Sequence, residues 1–96
     1  MRIIVVGIGK VGYTVAEQLS NEKHDVILID TNEKVLNAVL NNLDVIAVHG
    51  NGASRKVLSE ADVEESDLVI ALTGSDEINL LCCLLATKLG ASGTIA

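Results

Sequence analysis

The 96-residue sequence predicts an α/β domain built as a doubly wound parallel sheet with helices on both faces. Three observations carry that prediction. Apolar runs alternate with helix-patterned segments from end to end. Gly7, Gly9 and Gly12 join the first apolar run to the first helical segment. A carboxylate, Asp30, closes the second apolar run about 20 residues further on.

The first strand covers Arg2 to Val6, an unbroken β-branched run of the kind found in strands buried on both faces. A helix over 10–21 follows, with Val11, Val15, Ala16 and Leu19 on one face. Residues 21–24 form a polar turn, and the second strand spans 25–29 and ends at Asp30. Thr31 or Asn32 can cap the second helix, whose buried stripe is Val35, Leu36, Val39, Leu40 and Leu43. The third strand is placed at 44–48. Gly50-Asn51-Gly52 then breaks the chain, and Ser54 can cap a short helix carrying Val57, Leu58 and Ala61. An acidic loop over 62–67 leads to the fourth strand at 68–72. Thr73-Gly74-Ser75 opens the last helix, 76–89, which Gly90 ends, and residues 94–96 begin a fifth strand. Short loops between alternating strands and helices imply right-handed crossovers and the strand order 3-2-1-4-5 of a Rossmann-like fold. The chain stops inside that fifth strand, so a C-terminally truncated piece of a longer polypeptide is expected.

Composition narrows the class. Hydrophobic residues make up 49% of the chain and aromatics 1%, which fits one domain over 1–96 with an aliphatic core. The net charge is −6 and the basic residues are scattered, which disfavours a nucleic-acid partner. The lone aromatic, Tyr13, makes no stacking platform. The longest apolar run, 80–86, is far short of the ~20 residues a membrane span needs, and no signal peptide is evident. A cytoplasmic domain without direct membrane insertion is therefore expected. Cys82 and Cys83 are adjacent within a predicted helix and read as small core residues in a reducing compartment. The last helix is apolar around nearly its whole circumference, so one side should face the sheet and another a second subunit or domain.

The glycine run carries the chemistry. Gly7 permits a tight turn, Gly9 lets the backbone approach a pyrophosphate, and Gly12 lets the first helix pack against the first strand. The N–H groups of Gly9, Lys10 and Val11 would point at phosphates from the helix N-terminus. The Lys10 side chain either adds a charge or stays solvated at the rim. Asp30 would accept hydrogen bonds from both hydroxyls of an adenosine ribose and repel a 2′-phosphate, favouring NAD over NADP. The same chemistry admits ATP, ADP or AMP; the plain alternative for Asp30 is a helix cap. Asn51 suits an adenine edge or a simple turn, and His49 reads as structural. Thr73-Gly74 could admit the second half of a dinucleotide, while Asn79 either faces the crevice or stabilises the helix start. No Tyr-x-x-x-Lys, no placed His–carboxylate pair and no metal-ligand cysteine spacing is present, so catalysis is not expected.

In combination, Arg2 to Gly12, Asp30 within Leu28-Ile-Asp-Thr-Asn, Gly50-Asn-Gly52-Ala, and Thr73-Gly-Ser-Asp76-Glu-Ile-Asn79-Leu resemble a known family. That family is the N-terminal nucleotide-binding (KTN or RCK) domain of the TrkA regulatory subunits of Trk-type potassium uptake systems. The resemblance covers the whole chain. It implies a cytoplasmic, non-catalytic regulator that binds NAD or NADH, or adenine nucleotides. It also implies homodimers assembled into a ring beneath an integral-membrane potassium transporter subunit. Nucleotide contacts would fall on Gly7, Ile8, Gly9, Lys10, Val11, Asp30, Asn51, Gly52, Thr73 and Gly74. The family commonly has Asp where Asn51 stands here, and commonly carries an Arg after the fifth strand. The alternative function is the cofactor-binding half of an NAD-dependent oxidoreductase.

Overall fold

A computed structural model describes all of residues 1–96. Its strands are β1 (Arg2–Val6), β2 (Asp25–Asp30), β3 (Ile46–His49), β4 (Leu68–Ala71) and β5 (Thr94–Ile95). Its helices are α1 (Lys10–Asn21), α2 (Glu33–Leu40), α3 (Arg55–Glu60) and α4 (Asp76–Lys88). The strands pair in parallel in the order β3-β2-β1-β4-β5, as the alternation predicts.

Strand residues alternate between two covered faces. Ile4, Val6, Ile27, Ile29, Val69 and Ala71 point to one side, where Leu58 of α3 and Cys82 and Ala86 of α4 meet them. Ile3, Val5, Val26 and Leu28 point to the other, against Ala16 of α1 and Leu36 and Val39 of α2. Because β1 is central, Ile3 to Val6 are each no more than 2% exposed. This is why the opening run is apolar without alternation. No helix is long and apolar enough to cross a membrane.

Four local expectations change. β3 begins at Ile46 instead of 44, leaving a four-residue edge strand, and β4 ends at Ala71. Leu40 is exposed: it ends α2, and the chain then turns through Asn42 and Leu43, both bonded back to the Val39 carbonyl. Leu43 packs against that core face, half-buried. Within the acidic segment, Val63–Glu65 forms a 3-10 turn. Val63 is buried there, because Asp62 takes a left-handed conformation (φ 56°) and redirects the chain inward. Of the two caps offered for α2, the structure uses Asn32, which accepts the N–H groups of Lys34 and Val35.

The last helix is covered on one side only. Cys82 and Ala86 are buried against the sheet, while Leu80, Leu81 and Leu84 are 49–61% exposed.

Candidate functional site

A cleft of about 330 Å³ opens at the carboxyl ends of β1, β2, β3 and β4, where the strand order reverses between β1 and β4. Gly7, Ile8, Gly9, Asp30, Asn51, Gly52, Thr73 and Gly74 all line it, together with Thr31, Gly50, Ser75 and Ile78. Lys10 and Val11 are exposed outside the lining, and Gly12 is buried outside it.

The glycine loop is shaped by backbone approach. Gly7 has φ +96°, and a β-carbon there would lie 2.8 Å from the Leu72 carbonyl and from Thr73 N. A β-carbon on Gly12 would collide with the Gly7 carbonyl oxygen. Gly12 therefore seats α1 on the loop itself, where the sequence suggested the first strand. At Gly9 no atom lies within 4 Å of the place a side chain would begin. That glycine opens onto free space at the helix start.

The N-terminus of α1 differs from the other three. Asn32, Ser54 and Ser75 cap α2, α3 and α4 with side-chain oxygens, whereas Gly9 has none to offer. The first bond into the helix runs from Tyr13 N–H to the Gly9 carbonyl at 2.9 Å. The N–H groups of Gly9, Lys10, Val11 and Gly12 have no partner in the chain. The start of α4 has its own anion instead. The backbone N–H of Glu77 and the Ser75 hydroxyl hold the Glu77 carboxyl below its ordinary range.

Asp30 faces this loop from β2. One carboxylate oxygen accepts Ile8 N–H at 2.8 Å and the other accepts Asn32 N–H at 2.8 Å. A carboxylate offers about four acceptor positions, so two stay open. Asp30 is the only titratable residue lining the cleft.

On the β3 side, His49 Nε2 donates to the Thr31 carbonyl at 2.9 Å and ties the two loops together. Asn51 Oδ1 accepts Ala53 N–H at 2.8 Å, so the residue closes a turn through its side chain, without a left-handed backbone. Gly52 is buried, and a β-carbon there would strike the Val6 side chain. On the β4 side, Asn79 resolves in favour of the helix start: its amide bonds Thr73 and does not line the cleft. The sequence did not reveal the Asp30–Ile8 bond or the place of Ile78 in the cleft; both arise between separate segments.

Elsewhere, Cys82 is buried and its thiol is pushed up to about 11, first by desolvation and then by Cys83. Both cysteines are free. No group of three His, Cys, Asp or Glu residues is placed to hold a metal ion.

The profile of the TrkA-N domain matches residues 3–96. The Trk system potassium uptake protein TrkA homolog of Archaeoglobus fulgidus is 46% identical over 95 residues, covering 99% of this chain and 21% of that protein. The Trk system potassium uptake protein TrkA of Halomonas elongata is 39% identical over 89 residues, covering 93% of this chain and 20% of that protein. The chain thus spans about a fifth of the length of these relatives. Among solved structures, the NAD(P)-binding domain of an exopolyphosphatase-related protein from Archaeoglobus fulgidus superposes with a TM-score of 0.83 at 17% identity, covering 97% of this chain and 70% of that one. The GsuK channel bound to NAD superposes with a TM-score of 0.79 at 19% identity, covering 98% of this chain and 21% of that one. At these identities the two structures establish a shared fold.

Proposed function

The chain belongs to the TrkA-N domain family, and from that premise we propose that it is a non-catalytic NAD- or NADH-binding domain regulating a Trk-type potassium transporter. One observation carries the reading. Alone among the four α-helices, α1 has no side-chain cap, and its N-cap residue, Gly9, lies in the cleft that Asp30 lines from the adjacent strand.

In this reading the N–H groups of Gly9, Lys10 and Val11 receive the pyrophosphate, favoured by the helix dipole. The open positions on Asp30 accept the ribose hydroxyls. The adenine lies toward Asn51 and Gly52, and the rest of the dinucleotide toward Thr73 and Gly74. Lys10 contributes backbone and, at most, a rim charge. ATP or ADP offers the same ribose and phosphates and is admitted by the same contacts. Support for NAD(H) comes from the fold shared with the NAD-bound GsuK channel. Support for potassium transport comes from the names of the relatives.

A dehydrogenase half is less well supported. The relatives that match over 93–99% of this chain are named Trk system potassium uptake proteins. A bound nucleotide would act instead by favouring one of two assembly states, and only as far as it binds that state more tightly. The exposed α4 face carrying Leu80, Leu81 and Leu84 would join copies of the domain into a dimer or ring. That assembly would sit at the cytoplasmic face of an integral-membrane transporter subunit. Calorimetric titration with NAD, NADH, ATP and ADP tests the ligand, and a structure of the complex tests its place. Absence of binding by all four, or an adenosine seated outside this cleft, would end the reading.

A further inference from the structure

Asn79 lies in the first turn of α4, outside the cleft lining, yet its amide makes three bonds to one residue. Its Oδ1 accepts Thr73 N–H at 2.9 Å and the Thr73 hydroxyl at 2.6 Å, and its Nδ2 donates to the Thr73 carbonyl at 3.2 Å. Thr73 Oγ1 also accepts Ser75 N–H at 3.2 Å. Leu72 N–H is bonded to the Val6 carbonyl at 2.7 Å. Between Leu72 and Ser75, Gly74 therefore has the one backbone N–H without a partner in the chain. Gly74 lines the cleft, and no atom lies within 4 Å of where its side chain would begin.

Resting on the nucleotide reading above, we propose that Asn79 is a positioning residue that presents Gly74 to the far half of the dinucleotide. Thr73 is its handle, not a ligand contact. The Thr73 N–H and carbonyl are bound to Asn79, and its one hydroxyl proton is shared between Asn79 Oδ1 and the Ser75 carbonyl at 3.1 Å, so Thr73 has no donor left over for a phosphate. Without the amide, the loop over 72–75 loses its three ties to α4, and Gly74 N–H is no longer held at one place over the cleft. The adenosine end, gripped by Asp30 on the opposite side of β1, should be indifferent to the change.

The test compares NAD with AMP, which carries the adenosine end alone, by calorimetric titration well below the unfolding temperature. Asn79→Ala should weaken NAD about tenfold, the size of one lost well-placed hydrogen bond, and leave AMP within about twofold. Thr73→Val removes the hydroxyl bond but keeps the two backbone bonds to Asn79, so it should weaken NAD less, about threefold, and Thr73→Ser should keep parental affinity. Because the hydroxyl bond is one of the three that Asn79→Ala already removes, Asn79→Ala/Thr73→Val should remain near the Asn79→Ala value instead of multiplying to about thirtyfold. Unchanged NAD affinity in Asn79→Ala, equal losses for NAD and AMP, or multiplying losses in the double variant would each overturn the proposal. Should Asn79→Ala not fold, Thr73→Val carries the NAD-against-AMP comparison at its smaller expected loss. A parent chain that binds neither NAD nor AMP would remove the nucleotide reading itself, and this proposal with it.

Discussion

The two carboxylate oxygens of Asp30 each accept a backbone N–H at 2.8 Å, one from Ile8 in the glycine loop and one from Asn32 at the start of α2. One side chain thereby ties the glycine loop to the start of α2. Hydrogen bonds to a charged acceptor contribute about 1.5–3 kcal/mol each when shielded, less where water competes.

Asp30→Ala should therefore act twice. We expect a stability loss of about 1–3 kcal/mol by urea unfolding, from the two orphaned N–H groups. We also expect NAD affinity to fall by about tenfold or more, with weaker discrimination against NADP. A variant that loses stability but keeps affinity and selectivity would show that Asp30 is only a loop brace.

Ligands should separate by their ribose. NAD at 100 times its dissociation constant should stabilise the domain by about 2.7 kcal/mol, a rise in Tm of roughly ten degrees or more for so short a chain. NADH should behave alike, while NADP, with a phosphate facing Asp30, should give little shift. A larger shift with NADP than with NAD would contradict the role given to that carboxylate.

Gly9 and Gly12 should part company on substitution. Gly9→Ala meets open space and a permitted backbone, so its unfolding midpoint should stay near the parent's while NAD binding weakens about tenfold. Gly12→Ala drives a methyl into the Gly7 carbonyl oxygen and should cost about 3 kcal/mol of stability. Paired urea curves and binding isotherms read both effects.

Leu81→Glu and Leu84→Glu change exposed positions on α4 and should leave unfolding midpoints within about 0.5 kcal/mol of the parent. If the helix joins copies of the domain, sedimentation should show both variants lighter than the parent. Unchanged mass with a stable fold would remove α4 from the assembly.

Alkali should find Cys82. Burial pushes its folded thiol from the ordinary 9.0 up to about 11, so the folded state holds the proton where the unfolded state releases it. The stability this lends is complete below pH 9 and declines as pH rises toward 11. A thiolate absorbance step for the folded protein centred near the ordinary cysteine value, with no second step near 11, would contradict the burial argument.

Much of the molecule was legible locally. The apolar runs of β1 and β2 are unbroken because both faces of those strands are covered, and Gly7 interrupts the first because the chain there needs positive φ. Asp30 stood out because a lone acid closes an otherwise apolar strand. Other features were not legible, since hydrophobic period and residue type do not record where a helix stops, how one residue turns the chain or which partner a polar side chain takes. Leu40 belongs to the apolar stripe of α2 by spacing and is nevertheless exposed, because the helix ends at that residue. Val63 lies among acids and is nevertheless buried, because one left-handed residue turns it inward. Asn79 could be read either as a cleft residue or as a cap until the position of Thr73 was known.

The amino-acid sequence by itself determined the alternation of strands and helices, their parallel order and the glycine–carboxylate signature of the cleft. These follow from side-chain period, β-carbon sterics and turn chemistry, all of which act over a few residues. Only the tertiary structure decided that Gly12 answers to the Gly7 carbonyl, that Asp30 braces two loops, that Thr73 is bound to Asn79, and which leucines of α4 stay bare. Those outcomes depend on which polar groups find partners and which surfaces find cover once the elements are packed in space, and the pattern of residue types does not record that.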